Sequence, residues 1–408
     1  MNEKSTFEEA LKANPDKWPF TDHVRGLSTS IIREILKISS QPGVISLAGG
    51  YPSPDMFPIE DLKESAVAII DEFKSVALQY SFSMGIPQFR EVIAERETNL
   101  GAKSRMENIL ITSGSQQGIE LLARAFVNPG DYIVTENPTY VGALQAFNYY
   151  KPRYAPVEMD HDGMLVDQVE DAIRKYKPKF IYTVSTFQNP TGITMTTERK
   201  KALIDIAVRN NIPIVDDNPY GELRFYGENL PTMKSLGGDA VISLGTFSKI
   251  VAPGFRIGWM NAPVSILSMF EKIKQGCDLH TSTFSQFVLY HFIKSGKLSA
   301  HIPKIIKSYR AKRDLMIHAL EKHFPPGITW TKPEGGLFLW CELPLSMSAS
   351  ELLQEAIKEK VTYVYGRPFF PDGKKGDNTF RLNFSNASHE MLSSAIERLG
   401  RVFKANMP

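Results

Sequence analysis

The sequence predicts an α/β protein, with a mostly parallel central sheet, helices on both of its faces, and a smaller α+β region after it. Two observations carry that class. From about residue 108, short apolar runs alternate with helical segments, the order of elements that builds parallel sheets. A polar stretch bearing Gly or Pro follows each run, so it falls at the carboxyl end of a strand, where open α/β sheets bind ligands.

In chain order, residues 1 to 20 read as an arm. Ser28 to Ile38 reads as an amphipathic helix. At about 100° per residue, Ile31, Ile32, Ile35, Leu36 and Ile38 share one side; Ser30, Arg33, Glu34 and Lys37 take the other. Val44 to Leu47 is a short strand that breaks into AGGYPSPDMFP, and Pro58 to Phe73 is a second helix. The alternation then places strands at Ile109–Thr112, Tyr132–Thr135, Phe180–Val184, Ile212–Val215 and Val241–Leu244. Thr197 to Asn210 is the clearest helix between them. One long helical stretch, Phe284 to His323, leads to strands near Gly336–Cys341, Val361–Tyr365 and Thr379–Phe384, then a last helix from His389. The expected division is 1–57, the arm with part of the small domain; 58–287, a large domain; and 288–408, a small α+β domain.

Composition excludes several classes. Over 408 residues, 42% are hydrophobic and 23% charged, and the net charge is +2. No strong field invites nucleic acid or a membrane surface. No run approaches the ~20 apolar residues that span a bilayer. Cys277 and Cys341 fit no metal or redox spacing. The N-terminus lacks an apolar signal core, so a cytoplasmic location is expected.

The stretch Ser243 to Trp259, SLGTFSKIVAPGFRIGW, organises the rest. Lys249 follows the end of a buried strand. Desolvation disfavours an ammonium there, and the lowered pKa makes the amine a nucleophile toward aldehydes. Thr246, Ser248 and Arg256 can hold an anion beside it. An aldehyde that carries a phosphate is pyridoxal 5'-phosphate. Gly114, Ser115 and Gln116 stand between a strand and a helix, where free N–H groups attract anions. Tyr140 can stack on a flat ring. Asn189, in a turn, can hydrogen-bond a ring oxygen. Asp216 and Asp217 both follow a buried strand; either can keep a pyridine nitrogen protonated, and the spacing to Tyr220 favours Asp217. Arg381, between apolar neighbours, offers a planar fork to a carboxylate. MDHDGM around His161 reads as a turn, and RKYKPK from Arg174 as a solvated helix end. No metal constellation is present.

Six motifs in order, SGSQQ, NPTY, QNPTG, DDNPY, TFSK with PGFRIGW, and FRLNF, resemble those of the fold type I pyridoxal-phosphate-dependent aminotransferases. The resemblance spans Ser28 to the final helix. It implies that Lys249 forms the internal aldimine and then shuttles a proton. It implies that Asp217 pairs with the ring nitrogen, that Asn189 and Tyr220 bind the ring oxygen, and that Tyr140 stacks on the ring. Ser115, Gln116, Thr246, Ser248 and Arg256 would hold the phosphate, and Arg381, with Gly50 near it, the substrate α-carboxylate. Tyr80 would reach the neighbouring subunit's phosphate, which implies a homodimer. STSIIREILK, ISLAGGYPSPDMFP, QGCDLHTS and the GRPFFPDG to NTFRLNF stretch resemble the α-aminoadipate, kynurenine and multi-substrate aromatic subgroup. There, Ser30 and Arg33 would meet a distal substrate carboxylate. The polar side of an amphipathic helix accounts for the same two residues.

The implied activity is amino-group transfer between an amino acid and a 2-oxo acid, with 2-oxoglutarate as the expected acceptor. Two other readings stand beside it. A lyase on the same fold would release pyruvate and ammonia without an acceptor. A ligand-sensing regulatory domain would carry a winged helix-turn-helix before Ser28, for which that segment is expected to be too short and the charge too small.

Overall fold

The computed structural model describes residues 18–25, 31–39 and 41–407. Its main sheet has eight strands. In chain order these are β2 (Ile109–Thr112), β3 (Tyr132–Asn137), β4 (Arg153–Asp160), β5 (Gly163–Met164), β6 (Ile181–Thr183), β7 (Ile214–Asp217), β8 (Val241–Thr246) and β9 (Gly258–Asn261). Their spatial order is β2-β9-β8-β7-β6-β3-β4-β5. The run from β8 to β4 is parallel; β9 lies antiparallel between β8 and β2.

The period-2 alternation of strand side chains divides the core into two layers. Val134, Ile181, Ile214 and Val241 join one apolar cluster, packed with Val169, Ile173, Leu203 and Ala207 of two helices. Their neighbours Ile133, Tyr182, Val215 and Ile242 join the other, with Ile119 and Leu122 of the helix Ser115–Phe126. Both faces are therefore covered, as parallel sheets require.

The small domain holds a four-stranded antiparallel sheet, β10 (Thr329–Trp330), β11 (Phe338–Glu342), β14 (Thr379–Asn383) and β13 (Val364–Tyr365), in that order. A two-stranded parallel pair, β1 (Ile45–Ser46) with β12 (Val361–Thr362), ties the segment before residue 57 to this end of the molecule.

The sequence reading needs four corrections here. The long helical stretch is two helices, Thr283–Lys294 and Lys297–His323, separated where Gly296 turns left-handed at φ +77°. The run Val361–Tyr365 is two strands in two different sheets. Strands β4, β5, β9 and β10 were not expected; β5 and β10 are two residues each, β4 is amphiphilic and β9 follows directly on a loop rich in turn residues. Strand β7 starts and ends two residues later than expected, so both aspartates are its last residues rather than its sequel. The turn expected at His161 is present, and it joins β4 to β5.

Candidate active site

The carboxyl ends of the parallel strands open on a cavity of 340 Å³. Twelve of the expected residues line it: Gly50, Ser115, Gln116, Tyr140, Asn189, Asp217, Tyr220, Thr246, Ser248, Lys249, Arg256 and Arg381. They come from both domains and span more than 330 positions of sequence. A larger cavity of 740 Å³, against Trp259 and Asn99, holds neither Lys249 nor Arg381.

Strand alternation puts the two aspartates on opposite faces of β7. Asp217 shares its face of β7 with Val215, and Asp216 shares the opposite face with Ile214. Asp217 is 2% exposed and lines the cavity; Asp216 does not. The Tyr182 hydroxyl donates to Asp217 Oδ2 at 2.9 Å, while Oδ1 is buried without a partner. Burial lifts the Asp217 carboxyl to about 7, with the Tyr182 bond opposing, Asp216 adding to the rise and Lys249 pulling it back. An unpartnered buried acceptor at the cavity floor suits a cationic ring N–H.

Lys249 stands just past β8, with its Nζ donating to the Gly50 carbonyl at 2.8 Å. Burial lowers its amine to about 8, and the charges of Arg381 and Arg256 push the same way against Asp217. At neutral pH a useful fraction is thus unprotonated.

Arg381 is 3% exposed, between Phe380 and Leu382 on β14. Its guanidinium lies 4.1 Å from the centre of the Phe338 ring and 5.1 Å from that of Phe369. Nη1 donates to Asn189 Oδ1 at 2.7 Å and Nη2 to the Ala48 carbonyl at 2.6 Å. Burial lowers it to about 10, so it stays charged. Burial raises the Tyr220 phenol, with Arg381 and Asn189 opposing. Burial also holds the Tyr140 phenol up at about 12.

The opposite end gathers groups that could hold an anion. The helix Ser115–Phe126 begins at the cavity wall; the Gln117 amide already donates to the Gly114 carbonyl at 3.2 Å, which leaves the amides of Ser115 and Gln116 for an anion. Gly114 precedes it at φ +79°, and a Cβ there would strike the Arg256 guanidinium. Arg256 Nη2 donates to the Ser113 carbonyl at 3.2 Å. The Ser248 amide donates to Thr246 Oγ1 at 3.2 Å, and Thr246 Oγ1 sits 3.0 Å from the Ile257 carbonyl. Thr246 thus shapes the loop as well as lining it. Gln116 is turned partly aside, donating to the Gly142 carbonyl at 2.7 Å.

Tyr80 is not part of this cavity; it is 79% exposed, edge-on to His280. Ser30 and the Arg33 side chain lie outside the described residues. Tyr182 and Phe338 were not singled out from sequence. Both sit in apolar runs, and only the pairing of Tyr182 with Val215 across β6 and β7 brings its hydroxyl to Asp217.

Among the described residues no helix is long and apolar enough to cross a membrane, and no cluster suits a metal ion. The profile of a family described as aminotransferase class I and II matches residues 43–399. The chain is 43% identical, over 95% of its length and 94% of the relative's, to aromatic-amino-acid aminotransferase 1 of Thermococcus litoralis. A kynurenine aminotransferase structure from Pyrococcus horikoshii superposes with TM-score 0.92 at 41% identity, covering 96% of this chain and 98% of that one. The α-aminoadipate aminotransferase of Thermus thermophilus, solved with N-(5'-phosphopyridoxyl)-L-leucine, gives TM-score 0.88 at 36% identity, covering 95% and 97%.

Proposed function

The chain belongs to the class I and II aminotransferases, pyridoxal-phosphate-dependent enzymes that pass an amino group between an amino acid and a 2-oxo acid, and from that premise we propose that the cavity around Lys249 is its active site. The observation that carries this reading is the unpartnered Asp217 Oδ1, buried in the same cavity as a lysine amine lowered to about 8.

Bound there, pyridoxal phosphate supplies the electron sink for loss of the substrate Cα proton. Asp217 would keep the ring nitrogen protonated. Asn189 and Tyr220 would hold the ring oxygen, Tyr140 would lie against the ring, and Ser115, Gln116, Thr246, Ser248 and Arg256 would hold the phosphate. Lys249 would hold the aldehyde carbon and would take and return the substrate Cα proton. Arg381, beside Gly50, would take the α-carboxylate and so orient the substrate. Arg381→Ala is expected to raise KM for every donor and acceptor and to lower kcat/KM by about 10²-fold. A loss confined to one substrate class would contradict this role.

We infer a broad donor range, including 2-aminoadipate and aromatic amino acids, with 2-oxoglutarate as acceptor. Relatives named for aromatic, kynurenine and aminoadipate substrates support it. The test is a panel of amino acids against 2-oxoglutarate, scored by kcat/KM. Pyruvate and ammonia formed without an acceptor would replace this reading by a lyase. For the acidic donors we propose Ser30 and Arg33 as partners of the distal carboxylate. Arg33→Ala should lower kcat/KM for 2-aminoadipate by about 10-fold or more and leave leucine unchanged; an equal loss for both would refute the assignment.

We propose a homodimer in which Tyr80 reaches the neighbouring site. Val76, Leu78, Tyr80 and Phe82, each at least 60% exposed, form an apolar stretch of the kind a second copy covers. The domain limits 58–287 and 288–408 and a cytoplasmic setting, in keeping with two free cysteines, complete the reading.

A further inference from the structure

Glu136 is fully buried, outside the cavity, and carries no role in the mechanism above. It is the last-but-one residue of β3. Its Oε1 accepts from the Thr183 hydroxyl at 2.6 Å and the Val184 amide at 3.1 Å. Its Oε2 accepts from Gln188 Nε2 at 3.0 Å. Gln188 is also fully buried. Its second amide hydrogen goes to the Pro138 carbonyl at 2.9 Å, and its Oε1 accepts from the Thr191 amide at 2.9 Å and the Thr191 hydroxyl at 2.7 Å. Two hydrogens and two lone pairs exhaust the amide's capacity.

This closed network joins two strand exits, those of β3 and β6. Pro138 stands two residues before Tyr140. Gln188 stands one before Asn189, which binds Arg381 Nη1. The end of β6 is anchored through Thr183 and Val184. A buried carboxylate is costly, so its place among three donors calls for a purpose other than packing.

We propose that Glu136 and Gln188 are positioning residues: they lock the Tyr140 and Asn189 turns at a fixed separation across the ring of the bound cofactor. The inference rests on the active-site reading above. It makes Asn189 geometry, and through it the ring oxygen and the substrate carboxylate, depend on a carboxylate that touches neither.

The test is cofactor titration of the purified enzyme stripped of and reloaded with pyridoxal phosphate. Glu136→Gln sets an amide against donors whichever way it turns. It is expected to weaken cofactor binding about 10-fold and to shift the pH at which the visible band titrates. The double variant E136Q/Q188E restores a donor–acceptor pair between the two positions but sets a carboxylate oxygen against the Pro138 carbonyl, so it should recover only part of both readouts. Thr191→Val, isosteric and with its peptide N–H intact, should give a smaller change of the same sign and covers the case in which Glu136→Gln does not fold. If Glu136→Gln and Thr191→Val melt earlier but bind and titrate like wild type, the two residues are core only. Failure of wild type itself to bind the cofactor would instead overturn the active-site reading.

Discussion

Lys249→Ala is expected to abolish the visible band of the bound cofactor and to cut turnover by at least about 10⁴-fold. Among the described residues that line the cavity, Lys249 is the only lysine, so no second amine takes over attachment or proton transfer. Its amine is placed for both tasks, past the end of β8 and lowered to about 8 by burial and two guanidinium charges. Neither Asp217 nor a tyrosine replaces it. Asp217 is engaged by Tyr182, and the Tyr140 phenol, at about 12, gives up no proton near neutrality. The variant should fold at least as well as wild type without cofactor, because alanine removes a poorly solvated ammonium. Absorbance after reconstitution and single-turnover rates check both halves. A variant that keeps the band and turns over within tenfold of wild type would place the attachment elsewhere.

The cavity was legible in the sequence because its residues are costly where they stand. Lys249, Arg381 and Asp217 break apolar runs, and charge next to a buried strand needs a reason. Gly114 and the Asn189 turn mark backbone that must approach or reverse closely. Tyr182 breaks no pattern, since an aromatic belongs in a strand. Its hydroxyl acquires meaning only when β6 pairs with β7. Glu136 was hidden for a related reason. One acidic residue near a strand end reads as a solvated terminus until β6 and the Gln188 turn close over it. Spacing to Tyr220 favours Asp217 in the sequence, and strand alternation puts that carboxylate rather than Asp216 on the cavity side. Long-range pairing, rather than local pattern, also decided that Val361–Tyr365 serves two sheets. The break at Gly296 was local and readable: a glycine after Lys294 and Ser295 is an ordinary helix stop.

Asp217→Asn is expected to act in opposite directions on the cofactor-free and cofactor-bound protein. Asparagine keeps an acceptor for the Tyr182 hydroxyl and the shape of the site but loses the charge. In the loaded enzyme the buried cation loses its counter-ion, at a cost of about 3–5 kcal/mol, so kcat/KM should fall by about 10³-fold or more and cofactor affinity with it. In the cofactor-free protein the carboxyl titrates near 7 against an ordinary value of 3.8. The folded state therefore holds this proton more tightly than the unfolded chain. Its contribution to stability is full below about 3.8 and is lost as pH rises through about 7. Asparagine does not titrate, so the variant should melt higher than cofactor-free wild type at pH 8, by up to a few kcal/mol, with the gap closing toward pH 4. Glu136, also raised to about 7, has the same sign but is common to both proteins and leaves the difference untouched. Asp216→Asn is the control. Burial raises Asp216 too, so stability should respond, but that residue faces the other layer and the cofactor band should not move. If the band follows Asp216 and ignores Asp217, the ring nitrogen faces the opposite side of β7. The cavity would then have lost the acceptor that makes it fit a charged ring.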